Sequence, residues 1–149
     1  MLPIQIYLQN IFFQLIPPRN QLPVYIDSTT GQLGVGASAP FEWVEETTTS
    51  RALVVNQGVI GDNAGTITMT LPATAAQGDK FCFIQKGAGI ISIAQNAGQT
   101  IHTILADTTT GVTGHLDTID QWSSFCLVCV TANTDFALES GSHGSLAVI

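Results

Sequence analysis

From Gly65 to Ile101 the chain repeats one theme: a short apolar run closed by a turn signal. Ile67, Met69 and Leu71 alternate with Thr66, Thr68 and Thr70. A period of two places the two sets on opposite faces of a strand. Pro72 ends the run, because it has no N–H to give a ladder. After the Gln77-Gly78-Asp79 turn, Lys80 to Gln85 carries Phe81 and Phe83 on one face and Cys82 and Ile84 on the other. Both faces are apolar, which predicts a central strand covered on two sides. Gly87-Ala88-Gly89 reads as a hairpin turn, and Ile90 to Ala94 as the next strand.

The same reading extends outward. Phe41 to Val44 and Ala52 to Asn56 are predicted strands, and Thr100 to Ile104 is a brief one. Ser124 to Thr131 is the strongest, with Phe125, Leu127 and Cys129 on one face and Cys126, Val128 and Val130 on the other. Ala132-Asn133-Thr134 is a tight turn, so Asp135 to Glu139 is expected to pair back as a hairpin. Leu146 to Ile149 is a short terminal strand. Turn signals every ~8–12 residues are the spacing of a sandwich or barrel. The expected fold is all-β: an antiparallel, jelly-roll-like β-sandwich over 41–149, preceded by an N-terminal arm and hairpin over 1–40.

The arm has its own pattern. In Met1 to Ile16, alternating Leu2, Ile4, Ile6 and Leu8 suit a strand, whereas Ile4, Leu8, Ile11, Phe12 and Leu15 suit one helical face. The segment lacks the basic start and cleavage site of a signal peptide. It is too short and too polar to span a bilayer. Burial is expected, either in its own subunit or as an arm (Ile4, Ile6, Leu8, Ile11, Phe12, Leu15) docked on a neighbour or another protein. Pro17-Pro18 breaks the segment, and Val24 to Val35 is a predicted hairpin turning at Asp27 to Gly31.

Composition sharpens this picture. Charged residues are only 10% of the 149, against about 25% ordinarily, and uncharged Thr, Ser, Asn, Gln and Gly replace them. Little charge keeps copies apart, which favours self-assembly. Net charge is −7, and the basic residues are Arg19, Arg51, Lys80 and Lys86. Four scattered cations form no basic stripe, which argues against nucleic-acid binding and polybasic membrane attachment.

Candidate chemistry is thin. Cys82, Cys126 and Cys129 lie in apolar runs, where free cysteine acts as a small buried hydrophobe. A Cys82–Cys126 bond is conceivable, but free thiols and folding in a reducing cytoplasm are the preferred reading. Cys126 and Cys129 should diverge on their strand, so no zinc or redox pair is expected. Glu42, Glu45 and Glu46 match no calcium loop and read as a solvated strand end. Ser-His-Asp sets built on His115 and Asp117 lack a nucleophile elbow, and Asp117 with Asp120 reads as a solvated acid pair. No catalytic residue, metal or cofactor is expected, and the chain reads as a non-enzyme. Trp122, His115 and Trp43 are the candidate receptor or interface contacts, since aromatic side chains carry much of the energy at contact surfaces.

A resemblance adds to this. The residues are Gly65-Thr66-Ile67, Leu71-Pro72-Ala73-Thr74-Ala75-Ala76, Gly78-Asp79, Lys86-Gly87-Ala88-Gly89, Ile93 to His102, and Ser123 to Thr134. This series resembles a module near the C-terminus of bacteriophage tail-fibre and virion-surface proteins, and of some bacterial surface proteins. It covers roughly Phe41 to Ile149. Pro23 to Asp27 with Thr30 to Gly34 is similar to a strand-turn-strand of phage fibres near their C-terminal chaperone regions. The resemblance implies a β-rich, homotrimeric structural or receptor-binding part of a virion, assembled in the host cytoplasm. It would join other virion proteins through the arm and meet a host glycan or protein. Fibres usually carry a long shaft, and a ~40-residue attachment segment suits a short fibre, tip or collar. A capsid decoration protein and a carbohydrate-binding module are the alternatives.

Overall fold

The structure, a computed structural model, describes residues 41–139 and 142–149, together with the backbone of 24–26 and 33–35. The arm residues Ile4, Ile6, Leu8, Ile11, Phe12 and Leu15 lie outside the described residues. The chain divides into two compact units, Met1–Ser38 and Ala39–Ile149. In the first, β1 (Val24–Ile26) pairs antiparallel with β2 (Leu33–Val35), Val24 opposite Val35, as the turn signal predicts.

The second unit holds, in order, β3 (Glu42–Glu46), β4 (Ser50–Ala52), β5 (Gln57–Gly61), β6 (Ile67–Thr70), β7 (Lys80–Gln85), β8 (Ile91–Ala94), β9 (Thr100–His102), β10 (His115–Thr118), β11 (Ser124–Thr131), β12 (Asp135–Leu138) and β13 (Leu146–Val148). One sheet has the order β3-β5-β7-β11-β12-β9 and the other β13-β10-β8-β6-β4. All regular elements among the described residues are strands, and no helix there is long and apolar enough to cross a membrane.

Both sheets are mixed, which corrects the antiparallel expectation. The ladders β3/β5, β5/β7, β4/β6, β6/β8 and β9/β12 are parallel. The reason is the route of the chain. From β3 to β8 successive strands alternate between the two sheets, so every second strand returns to its sheet in the same direction. Gly87-Ala88-Gly89 is therefore no hairpin turn but a crossing from β7 to β8 in the other sheet. The hairpin reading holds for β11 and β12, which pair antiparallel through Asn133 at φ 68°.

Alternation does sort the faces correctly. Ile67, Met69 and Leu71 are buried, as are Phe81 and Phe83, and Phe125, Leu127 and Cys129. They join Ile91, Ile93, Leu116 and Phe136 in one core shared by both sheets. Gly61 of β5 lies close under the other sheet. A Cβ there would lie 2.9 Å from Ile91 Cδ1 and 3.0 Å from Ile67 Cδ1 of the other sheet.

The cysteines depart from expectation. Cys82 and Cys126 stand directly opposite on β7 and β11 and form a disulfide, with Cα atoms 4.1 Å apart. Only Cys129, on the core face, is free. The preference for free thiols is overturned, and with it that argument for folding in a reducing cytoplasm.

Candidate contact site

Part of the series that carries the resemblance meets in space, at one end of the sheets where the chain crosses between them. Pro72 to Ala76 leads from β6 to β7, Gln95 to Gln99 from β8 to β9, and Thr108 and Thr109 lie between β9 and β10. Crossing backbone has no ladder partner, so its buried polar groups need others. Amide side chains supply them. Gln99 accepts from Asn96 N–H (2.8 Å) and donates to Pro72 O (2.8 Å) and Asn133 O (3.2 Å). Gln95 donates to Gln99 O and to Thr109 O, and accepts from the Thr108 hydroxyl. Asn96 donates to Leu71 O at 2.6 Å, and Asn133 accepts from Ala75 N–H at 2.9 Å. Gly98, at φ 79°, closes the turn that brings Gln99 N–H to Asn96 O. Gln95, Gln99 and Thr108 are buried. Each of these amides is spent on backbone or on another side chain of the cluster.

The three aromatic and histidine candidates do not converge. Trp43, on edge strand β3, lies on the outer face of the six-stranded sheet, 44% exposed. Its indole covers Gly58, where a Cβ would meet the ring at 2.5 Å, and it meets Phe41 edge-on with centroids 5.8 Å apart. His115 is on β10 of the other sheet, with Nε2 3.7 Å from Asp117 Oδ2. Its neighbours in register are Ala94 and, beside Asp117, Ser92 and Ala147. Among the described residues no serine or threonine hydroxyl is hydrogen-bonded to the pair, and Asp117 Oδ1 is buried without a hydrogen-bond partner.

Trp122 is the better-built site. It precedes β11 at φ 70°, a region that bulky side chains rarely enter and that costs roughly 1–3 kcal/mol to hold. The turn is pinned from three sides. Trp122 N–H donates to Gln85 O (2.7 Å), Gln121 Nε2 to Lys86 O (2.8 Å), and Ser145 N–H to Asp120 Oδ2 (3.0 Å). The indole is left 60% exposed. Beside this turn Lys86 sits between Asp62 (2.7 Å) and Glu45 (2.6 Å), whose carboxylates push its pKa up, Asp62 foremost. An exposed aromatic face on a turn whose backbone is held can stack on a sugar or peptide.

The acidic patch is less solvated than its sequence implies. Glu46 is buried, accepts from Thr48 N–H (2.8 Å) and its hydroxyl (2.6 Å), and pairs with Arg51 at 3.1 Å. These partners, the Thr48 hydroxyl first, hold its carboxyl below the usual range.

One constellation escaped the sequence. His102 lies between two carboxylates, with Nδ1 2.8 Å from Asp107 Oδ1 and Nε2 3.2 Å from Asp135 Oδ1. Both nitrogens can donate only in the imidazolium. Asp107 first and Asp135 second push the His102 pKa up, and His102 in turn lowers that of Asp135. With both nitrogens engaged, His102 is an ion clip rather than a base. Among the described residues no three His, Cys, Asp or Glu cluster to hold a metal.

No family model matches the chain, and no curated protein is detectably similar to it.

Proposed function

We propose that the protein is a non-enzymatic virion structural component with a β-sandwich body: a short tail-fibre, tip or collar protein that assembles as a homotrimer. Its attachment arm is the apolar leader, and the body presents contact loops to the host surface. The observation that carries this reading is the amide cluster. Gln95, Asn96, Gln99 and Asn133 of the series that resembles the phage module tie the crossing loops together through their amides. They specify a scaffold, as a structural protein requires. The disulfide agrees with an extracellular destination, since such bonds persist on virion surfaces. Uncharged polar surface suits packing against copies.

Antibody raised against the protein is expected to label virus particles from the source culture at the tail. Label over the head shell would assign the decoration role instead. Particles without label would overturn both. The strained, exposed Trp122 favours one second reading, a carbohydrate contact. A glycan array is expected to show binding that Trp122→Ala abolishes, and an array blank with the intact protein would remove that reading.

A further inference from the structure

We propose that His102 is a pH-operated latch for the turn Thr103–Ala106, tying it to β12 while the imidazole is charged and releasing it when the ring is neutral. The turn follows β9, an edge strand that pairs parallel with β12. Its own hydrogen bonds close on themselves. The Thr103 N–H and hydroxyl donate to Ala106 O (3.1 and 2.7 Å), and the Leu105 and Ala106 N–H groups donate to the Thr103 hydroxyl (3.3 and 3.2 Å). A backbone bridge between His102 and Asp107 closes the base. These bonds give the turn its shape, and none of them reaches β12.

The link to β12 runs through the imidazole. Nδ1 faces Asp107, at the foot of the turn, and Nε2 faces Asp135, on β12. The Thr134 hydroxyl donates to Asp135 Oδ2 at 2.9 Å, which fixes the far carboxylate. Asp107, His102 and Asp135 therefore form a series, and the series holds only while both nitrogens donate. A neutral imidazole has one N–H and one lone pair. If Nδ1 keeps the proton, the ring loses its anchor on β12. If Nε2 keeps it, Asp107 meets a lone pair and is repelled. Either loss breaks the series. The ring and both carboxylates are partly exposed, so protons exchange freely with solvent.

The charges facing the ring all act in one direction. From the turn comes Asp107 and from β12 comes Asp135. Further across the sheet His102 is in line with Ala137, Val128 and Lys80, and Lys80 is paired with Glu139. Asp107 first and Asp135 second raise the pKa of His102. The latch is therefore complete below about pH 6.5 and opens as pH rises through the folded value. His102 holds the Asp135 carboxyl below its usual range, so mild acid leaves it charged.

The latch governs two apolar side chains. Ile104 and Leu105, at the tip of the turn, are 95% and 86% exposed. With Leu138, Leu146 and Val148 they line a cavity of about 250 Å³, so the turn is one of its walls. A latched turn presents both side chains on a fixed support. A released one adds the cost of ordering the loop to any contact made there.

Nuclear magnetic resonance of the full chain tests this from about pH 5 to about pH 8.5. The ring proton shifts of His102 give its titration, and amide relaxation gives the order parameters of the turn. The expected values at Ile104 and Leu105 are about 0.85 in acid, falling below about 0.6 with the midpoint of the His102 titration. His102→Gln should abolish the step. Asp135→Asn should move the step and the His102 titration together to lower pH. Unchanged strand amides in the same spectra show that each variant is folded, and the native comparison needs no variant. Order parameters that stay constant across the range, or that change at a different midpoint from His102, would overturn the latch. So would a step that survives in His102→Gln or stays in place in Asp135→Asn.

Discussion

Gln99 is the residue on which the crossing loops converge, and replacing it with Met is the most direct test of the fold's logic. The thioether keeps the unbranched length and most of the volume. It removes one acceptor and two donor contacts: Asn96 N–H, Pro72 O and Asn133 O. At about 1 kcal/mol net for each hydrogen bond, the loss is about 3 kcal/mol. Asn133 is exposed, so water can reach its carbonyl, whereas Gln99 is buried and its loop cannot simply turn outward. Burying a more apolar side chain returns about 1 kcal/mol. The expected net destabilisation is about 2 kcal/mol, a fall in Tm of about 8 °C for a domain of this size. Thermal unfolding followed by circular dichroism measures it. Gln121→Met is the control. Gln121 makes one exposed bond, to Lys86 O, and its loss should stay within about 0.5 kcal/mol. Equal, small shifts for the two variants would refute the claim that buried amides hold the crossings. Gln99→Glu should be worse than Gln99→Met above about pH 4. Burial raises a carboxyl's pKa, so the penalty grows as pH rises past the unfolded value.

Denatured without reductant, the chain should offer one reactive thiol, Cys129, and three would refute the Cys82–Cys126 bond; removing that bond, which closes a separation of 44 residues, should cost about 4 kcal/mol by chain entropy. The His102 clip should stabilise most between about pH 4 and pH 6.5. His102 has a raised pKa, so its share is complete below the unfolded value and fades as pH rises through the folded one. Asp135 has a lowered pKa, so its share is lost as pH falls through the folded value. His102→Gln should flatten that profile in urea titrations, and an unchanged profile would exclude the clip. Gly58→Ala should push the Trp43 ring off the sheet and red-shift its fluorescence in a Trp122→Phe background, whereas an unmoved spectrum would contradict the stacking.

Side-chain alternation made the faces of β6, β7 and β11 legible, because it depends only on the period of a strand. The β11–β12 hairpin was legible for the same local reason: Asn133 tolerates a positive φ between two apolar runs. Pairing between sheets was not. A glycine turn such as Gly87 to Gly89 looks alike whether the next strand folds back beside the last or crosses over. The disulfide was hidden behind that ambiguity. Cys82 and Cys126 face each other only because β7 and β11 are neighbours in one register, which neither segment states alone. His102 was unreadable as a clip because Asp135 lies 33 residues away and reaches it only through the parallel β9/β12 pairing. Trp122 stood out as an aromatic side chain, but its strained backbone belongs to a turn held by three outside anchors.

The resemblance and the contact surfaces occupy different residues, and this decides where function should be sought. Gln95, Asn96, Gln99 and Asn133 belong to the resembling series, and each spends its side chain satisfying backbone between the sheets. Any chain that crosses repeatedly between two sheets meets the same shortage of partners, and short amides in tight turns are an economical answer to it. The series therefore reports an architecture. Ile104, Leu105 and Trp122 fall outside it, and they are turned into solvent on pinned turns. Exposed apolar groups on rigid supports are not needed to close the core, and the proposed function would use them in contact. A related chain that keeps the four amides but differs at 104, 105 and 122 should retain the fold and change its partner.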